Sequence, residues 1–226
     1  GGGSNPQPGE ISLSHNGVLF LDELPEFKRS VLEVMRQPLE ERKVNISRSR
    51  HSVEYPASFM LVASMNPCPC GFYNHPEKQC TCPPGIVQRY LSKVSGPLLD
   101  RIDIHIEVSP ISFNELSDQR KGELSSQVRS RVIHTRQIQS ERYQHLKNIH
   151  CNAQMNTKLL REYCKIDKDG LAILKMAMER LGLSARAYDR ILKVARTIAD
   201  LANDPHIETK HLLEAIHYRS LDKDIY

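Results

Sequence analysis

The chain has 226 residues, of which 39% are hydrophobic and 26% are charged, values typical of a soluble globular protein. Its net charge of +4 is too small to indicate a nucleic-acid partner, so such a site must be argued from where the charges lie. No apolar run has the length of a membrane span or signal peptide, so we expect no membrane partner. The six cysteines then favour a reducing cytoplasm, with thiols or metal ligands rather than disulfides.

The first predicted strand ends in two adjacent carboxylates. Val18–Leu21 is a short apolar run that follows Gly17 and leads directly into Asp22 and Glu23. Such a run is typical of a fully buried strand in a parallel sheet. Open α/β sheets bind ligands at the carboxyl ends of their strands, so the two acids are candidates for a ligand site. On these residues alone, an ordinary strand end with two solvated acids stays open as the alternative.

A helix and a hairpin are predicted next. Residues 26 to 39 carry apolar side chains at helical spacing, and we expect this helix to stop near Pro38. Residues 43 to 56 alternate apolar and polar side chains around a polar centre, which predicts a β-hairpin. The tip of this hairpin carries three basic residues, Arg48, Arg50 and His51. Such cations suit the tracking of a nucleic-acid backbone, although a tip charged only for solubility remains the alternative.

A second buried strand and a cysteine-rich loop follow. Residues 59 to 63 form the apolar run, and Asn66 comes shortly after it. The loop holds two Cys-x-Cys pairs separated by nine residues, and we call its four cysteines, Cys68, Cys70, Cys80 and Cys82, the cysteine quartet. Four thiolates can form a tetrahedral Zn²⁺ site, and the metal would supply folding energy to a loop poor in apolar residues. Four reduced free thiols are the alternative, and His75 is a spare candidate ligand.

The remaining chain changes from mixed to helical character. Residues 97 to 108 include four alternating apolar residues, which predict a third strand. Five helices are predicted at residues 123 to 144, 157 to 164, 169 to 181, 184 to 202 and 209 to 217, with Ser184 as an N-cap. In the first of these helices, four arginines favour a solvated face over a nucleic-acid site: Arg129, Arg131, Arg136 and Arg142. We therefore expect an α/β part at residues 1 to 111 and an all-α part at residues 112 to 226.

In their order along the chain, these motifs resemble an AAA+ ATPase of the magnesium-chelatase-like family, in its branch of ComM/YifB-like competence proteins. The resemblance is carried by residues 1 to 3, 8 to 13, 16 to 27, 66 to 71, 99 to 103 and 184 to 187. It implies a partial AAA+ parallel-sheet core in residues 1 to 111, followed by a helical lid domain in residues 112 to 226.

The resemblance also implies roles for residues around a bound ATP–Mg²⁺. Asp22 would hold the Mg²⁺ through water, and Glu23 would orient the water that attacks the γ-phosphate. Asn66 resembles the sensor 1 residue, which contacts the γ-phosphate or the attacking water. Arg101 resembles the arginine finger that a neighbouring subunit supplies, with a surface salt bridge as the alternative. Arg186 resembles sensor 2, which contacts the nucleotide from the lid, with a solvated helix face as the alternative.

The family resemblance further implies a ring, with a hexamer expected, that couples ATP hydrolysis to DNA branch migration in recombination and natural transformation. The hairpin at residues 43 to 56 resembles the pre-sensor-1 hairpin, which lines the central pore in helicase members. The Walker A loop of the family, G-x-x-x-x-G-K-[ST], is not found in this sequence. We therefore expect an ATPase in the full-length protein and no ATP hydrolysis by this fragment alone. Two alternatives stay open: a motor subunit of a metal chelatase, and a non-enzymatic zinc-stabilised DNA-binding module.

Overall fold

A computed structural model describes residues 6–47, 52–110 and 122–219, and it divides the chain into two compact units, one ending at Ile102 and the other beginning at Asp103. The helices of the first unit are α1 (Glu10–Leu13), α2 (Arg29–Val34), α3 (Arg36–Glu41), α4 (Ile86–Leu91) and α5 (Gly96–Leu99). Its strands are β1 (Val18–Leu21), β2 (Lys43–Ser47), β3 (Ser52–Pro56) and β4 (Met60–Ala63). The helices of the second unit are α6 (Ser125–Tyr143), α7 (Thr157–Tyr163), α8 (Lys168–Leu181), α9 (Ala185–Leu201) and α10 (Thr209–His217). None of the described helices is long and apolar enough to cross a membrane.

The two predicted core strands pair in parallel, but only one face of the pair is packed. Their register joins Val18 to Met60 at one end and Leu21 to Ala63 at the other. One face packs against a core made by Leu24, Leu32, Met35, Val94, Leu98 and Leu99. The opposite face is open to solvent, with Val18, Phe20, Met60 and Val62 exposed by 54%, 59%, 59% and 39%. The prediction of fully buried strands was therefore wrong for this face, because no described residue packs over it.

The packed face is formed by Leu19, Leu21 and Leu61, which contact the core of the first unit. Alternate side chains of a strand point to opposite faces, so the same four-residue runs supply both the packed and the open surface. The carboxyl ends of both strands lie at one edge of this pair.

The predicted helix at residues 26 to 39 forms as two helices, α2 and α3. The first ends at Val34, and the second runs from Arg36 to Glu41, so the predicted stop near Pro38 was wrong. Pro38 is the third residue of α3, within the first turn, where a helix needs no backbone N–H donor. The helix ends instead at Glu41, and its C-cap residue Arg42 has a left-handed backbone (φ 57°) that turns the chain directly into β2.

The predicted hairpin is confirmed. Strands β2 and β3 pair in antiparallel register, from Lys43 opposite Pro56 to Ser47 opposite Ser52. At its base, the backbone N–H of Ala57 donates to the carbonyl of Arg42 at 2.8 Å. The three basic residues predicted to bind DNA, Arg48, Arg50 and His51, lie outside the described residues.

The predicted strand at residues 97 to 108 was wrong. Residues 96 to 99 form helix α5, and no strand is assigned to the described residues that follow it. Ile104, Ile106 and Val108 are exposed, although their alternation has the period of a strand. A strand needs a partner for its backbone groups, and the N–H of His105 bonds instead to the carbonyl of Tyr218 at 2.8 Å.

The five helices predicted for the second half are confirmed, with ends within two residues of those expected. The N-cap at Ser184 is also confirmed, since its side chain accepts a hydrogen bond from the N–H of Ala187 at 3.2 Å. The apolar faces of α7 to α10 pack into one core around Leu174, Ile191 and Leu212. Amphipathic periodicity is a local signal, which is why these helices are visible in the sequence.

A buried polar network links α6 to α9 in this unit. The carboxylate of Asp200 is 1% exposed and accepts hydrogen bonds from Arg142 at 2.5 and 2.7 Å and from Arg196 at 3.0 Å. Asn152 also donates to Asp200, at 2.8 Å, and accepts from the hydroxyl of Tyr143 at 2.7 Å. The expectation of a solvated face was therefore wrong for Arg142, whose guanidinium is held by a buried acid.

Candidate functional site

Asp22 lies at the carboxyl edge of the parallel pair. The register of Leu21 with Ala63 places Asp22 beside Ser64, directly after the two strands. The hydroxyl of Ser64 donates to Oδ1 of Asp22, and the backbone N–H of Glu23 donates to the same oxygen at 3.0 Å. A carboxylate accepts about four hydrogen bonds, and this one is exposed. Its position is thus fixed by two bonds while it keeps the capacity to bind water or a hydrated cation.

Glu23 occupies an unusual backbone conformation for a residue with a side chain. Its φ of 52° and ψ of 51° lie in the left-handed region, which costs a non-glycine residue about 1 to 3 kcal/mol. The next residue explains how this conformation is held: Leu24 is buried in the core, and its N–H bonds to the carbonyl of Ser64 at 2.9 Å. The anchored Leu24 therefore fixes the turn that presents the exposed Glu23 next to Asp22.

Asn66 follows β4 at the same edge of the sheet. It is exposed and lies two residues after Ser64 and two residues before Cys68, which is fully buried. The structure thus brings Asp22, Glu23 and Asn66 to the carboxyl edge of one parallel pair. The hydrogen bond that spans the two strand ends joins Asp22 to Ser64.

Arg101 is buried in the first unit. Its side chain is 5% exposed and forms an ion pair with Oε1 of Glu40, at 2.8 Å from Nη2. Its Nη1 donates to the carbonyl of Pro97. Asp103, two residues further along the chain, forms an ion pair with Arg190 in the second unit.

Arg186 lies in the first turn of α9 in the second unit, and it is exposed. The Ser184 cap fixes the start of this helix, so the position of the Arg186 backbone is well determined. Arg190, one turn further along the helix, is committed to Asp103.

The cysteine quartet converges. The Sγ atoms of Cys68 and Cys70 are 3.4 Å apart, Cys68 and Cys80 are 3.7 Å apart, and Cys70 and Cys80 are 3.5 Å apart. All four sulfur atoms lie within 4.8 Å of one another. A Zn–S length of about 2.3 Å places the sulfurs of a regular tetrahedron about 3.8 Å apart, whereas a disulfide requires about 2.05 Å. The spacing fits a Cys₄ metal site and does not fit disulfides.

The local electrostatics of the quartet also favour a cation. The backbone N–H of Tyr73 donates to Sγ of Cys68 at 3.3 Å. The backbone N–H of Phe72 lowers the pKa of the Cys70 thiol to about 5. For Cys82, the backbone N–H of Cys70 acts in the same direction, but desolvation and the neighbouring thiols outweigh it and raise the pKa to about 12. Four thiolates this close repel one another, and a bound divalent cation removes that penalty.

His75 does not join the quartet as a ligand. Its Nδ1 accepts hydrogen bonds from the backbone N–H groups of Glu77 and Lys78, both at 3.1 Å. Its ring stands edge-on to Phe72, with ring centroids 5.7 Å apart. These contacts hold His75 within the loop between the two Cys pairs, outside the group of four converging sulfur atoms.

Two residues of the site were missed from the sequence, Ser64 and Glu40. Ser64 bonds to Asp22 because of the strand register, which neither apolar run shows when it is read alone. Glu40 meets Arg101 through the packing of α3 near α5, which again is not a local pattern. Ser64 could have been found by aligning the ends of the two apolar runs, since each run is followed by a polar residue.

A parallel pair with acidic and amide residues at its carboxyl edge, followed by a helical unit, defines the class: a partial AAA+ core with a helical domain. Residues 1–116 match the family model described as magnesium chelatase, subunit ChlI, and residues 122–219 match the model of the ChlI C-terminal part. The chain belongs to the magnesium chelatase ChlI family. This finding confirms the resemblance seen in the sequence motifs.

Several curated relatives are similar over nearly the whole chain. It is 47% identical over 98% of its length to the competence protein ComM of Haemophilus influenzae, and 45% identical over 99% to YifB of Escherichia coli. It is 23% identical over 73% of its length to the magnesium-chelatase subunit ChlI of Cyanophora paradoxa. The chain spans 42%, 43% and 44% of the lengths of these three relatives.

Proposed function

We propose that the full-length protein is an ATP-driven motor that acts on DNA as a branch-migration helicase in recombination and natural transformation. The observation that carries this proposal is the parallel register of β1 and β4, which gathers Asp22, Glu23 and Asn66 at one edge. Membership of the ChlI family and the 47% identity to a protein named as a competence protein support it. A hexameric ring and a cytoplasmic location are part of the proposal, and the six free cysteines support the latter.

The first unit would supply the residues that act on the phosphates. ATP–Mg²⁺ brings the transferable phosphoryl group and the charge of the cation. Asp22, fixed by Ser64, holds a water of the Mg²⁺, and Glu23, next to it on the anchored turn, orients the attacking water. Asn66 contacts the γ-phosphate or that water through its neutral amide.

Two arginines would complete the site from outside the acidic edge. Arg101 is supplied to the nucleotide of a neighbouring subunit, where its guanidinium neutralises charge that develops during transfer. Arg186 contacts the nucleotide from the helical domain. The Walker A motif is absent from the 226 residues, so this chain alone should not hydrolyse ATP. ATP turnover by the isolated chain that Glu23→Gln abolishes would contradict this last point.

The hydrolytic role of Glu23 is tested in the full-length protein. Glu23→Gln should lower the ATP turnover number by about 10² to 10⁴, the range for loss of a general base. Glu26→Gln is the matched control, because Glu26 lies three residues away and its side chain forms an exposed ion pair with Lys93 at 3.7 Å. Equal turnover of both variants and the wild type would reject the site.

The DNA partner is tested through the hairpin. Arg48→Ala combined with Arg50→Ala should weaken DNA binding and reduce the slope of log affinity against log salt by about one for each lost phosphate contact. Lys43→Ala is the control, since Lys43 lies at the hairpin base and pairs with Glu54 at 2.8 Å. Absence of DNA binding by the wild type at low salt would reject the DNA motor in favour of a metal-chelatase motor.

We further propose that the cysteine quartet holds a structural Zn²⁺. The sulfur spacing of 3.4 to 3.7 Å among Cys68, Cys70 and Cys80 supports a tetrahedral site, and the N–H of Tyr73 donates a further hydrogen bond to Sγ of Cys68. Metal analysis of protein purified without chelators should give about one Zn²⁺ per chain. A ratio near zero would reject the site.

A further inference from the structure

The Arg101 side chain is held in place by two partners, but one of its buried N–H donors makes no hydrogen bond in the described residues. Its side chain is 5% exposed, with Nη2 on Glu40 at 2.8 Å and Nη1 on the carbonyl of Pro97. Its Nε is buried and has no hydrogen-bond partner in the described part of the chain. A buried donor without a partner is unfavourable, so this arrangement leaves the guanidinium able to gain bonds elsewhere. Phosphate oxygens are suited to this, because they accept several guanidinium donors at once.

Glu40 lies at the junction between Arg101 and the hairpin. It is the penultimate residue of α3, and its side chain is 37% exposed, so it is the solvent-facing partner of the pair. Only Glu41 and Arg42 separate it from β2. The hairpin base is closed by the bond from Ala57 to Arg42 and by the ion pair of Lys43 with Glu54. The hairpin base is therefore adjacent in the chain to Glu40, so a displacement there would act on the backbone next to Glu40.

We propose that Glu40 is a positioning residue that holds Arg101 in a resting position and releases it when DNA engages the hairpin. This proposal rests on the proposed function, in which Arg101 acts on the nucleotide of a neighbouring subunit. The ion pair keeps the guanidinium away from a phosphate until the hairpin moves. DNA binding and ATP turnover are coupled through this single ion pair.

The test measures ATP turnover of the full-length protein with and without saturating DNA. Glu40→Gln removes the charge but keeps the size of the side chain, so Arg101 is released more readily. The turnover without DNA should rise at least about fivefold, the lower end of typical coupling between sites. The turnover with DNA should stay unchanged, so the ratio of the two rates falls.

Glu41→Gln is the matched control, because Glu41 is the next residue on α3 and accepts a hydrogen bond from Gln37 at 2.8 Å. Its ratio of rates should equal that of the wild type. Glu40→Asp keeps the charge with a shorter reach and serves as a second variant, with an intermediate ratio expected. A parallel fall of both rates together with a lower melting temperature would overturn the proposal, because Glu40 would then only stabilise the packing of Arg101.

A subunit-mixing experiment separates this proposal from the proposed function. Arg101→Ala subunits keep their own acidic edge, and Glu23→Gln subunits keep their arginine, so mixing the two inactive variants should restore part of the turnover. If mixing restores turnover but Glu40→Gln has the same ratio of turnover with DNA to turnover without DNA as the wild type, only the restraint of Arg101 by Glu40 is rejected. Failure of mixing to restore turnover would reject the action of Arg101 on a neighbouring subunit, and the restraint with it.

Discussion

The buried carboxylate of Asp200 should be essential for the stability of the helical unit. We consider Asp200→Asn, which keeps the shape of the side chain and creates no cavity. It removes the charge that faces Arg142 and Arg196, whose side chains are 14% and 3% exposed. It also turns an amide N–H₂ toward groups that are already donors, including Asn152.

The expected loss of unfolding free energy arises because Arg142 and Arg196 would no longer have a carboxylate to neutralise their charges. Removing one partner of a buried ion pair costs about 3 to 5 kcal/mol, because the remaining charge stays out of water. A domain has about 5 to 15 kcal/mol of total stability, so this loss is a large part of it. The other contacts of Arg196, with the carbonyls of Asp204 and Pro205, retain its position but do not neutralise it.

Urea unfolding of the 226-residue chain, followed by circular dichroism at 222 nm, measures the free energy of unfolding of the helices. Glu179→Gln is the control, because Glu179 is 70% exposed and lies 4.0 Å from Lys175. Its loss should stay below about 0.5 kcal/mol, as for exposed ion pairs within a helix. A loss below about 1 kcal/mol for Asp200→Asn would refute the reasoning that its charge compensates the two arginines.

Four further predictions concern the cysteines and one glycine. Burial raises the pKa of the Cys164 thiol to about 12, so at pH 8 an alkylating reagent should label the half-buried Cys151 much faster than Cys164. Mass spectrometry measures the two labelling rates, and equal rates would contradict this prediction. Because this folded-state pKa lies above the ordinary value of 9.0, the folded chain should lose stability as pH rises from about 9 to 12, and Cys164→Val should reduce that loss. Gly170→Ala should cost about 1 to 3 kcal/mol, since an added Cβ would lie 2.8 Å from Leu212, whereas Gly122→Ala meets no atom within 4 Å and should be near neutral. Chelation of metal from the cysteine quartet should lower the melting temperature, and an unchanged value would argue against structural zinc.

The helices of the second unit could be predicted from the sequence because their signals are local. The apolar stripe of α9 and the cap at Ser184 are both read within a single helix. The partner of Arg142 could not be predicted in this way, because Asp200 is 58 residues away and the contact depends on how α6 packs against α9. Charge patterns show which side chains need a partner, but packing decides which partner they meet.

The same limit applies to the alternation at residues 102 to 108. The period of two is a property of the side chains, and a strand also requires a neighbouring backbone to complete its hydrogen bonds. In the described residues, Ile104 and Ile106 are exposed and no strand pairs with them. A period of two along the sequence therefore does not establish a strand, because it does not supply the neighbouring backbone.

Asn66 connects the two candidate sites of the first unit. On its amino-terminal side, Ser64 is tied to Asp22, and on its carboxyl-terminal side, Cys68 is fully buried within the cysteine quartet. With both flanks anchored, few backbone rotations remain between them, so the amide is held at the edge of the sheet. Under the proposed function, a metal ion in the cysteine quartet would limit the motion of Asn66, which contacts the γ-phosphate. This would explain why the cysteine loop follows β4 directly.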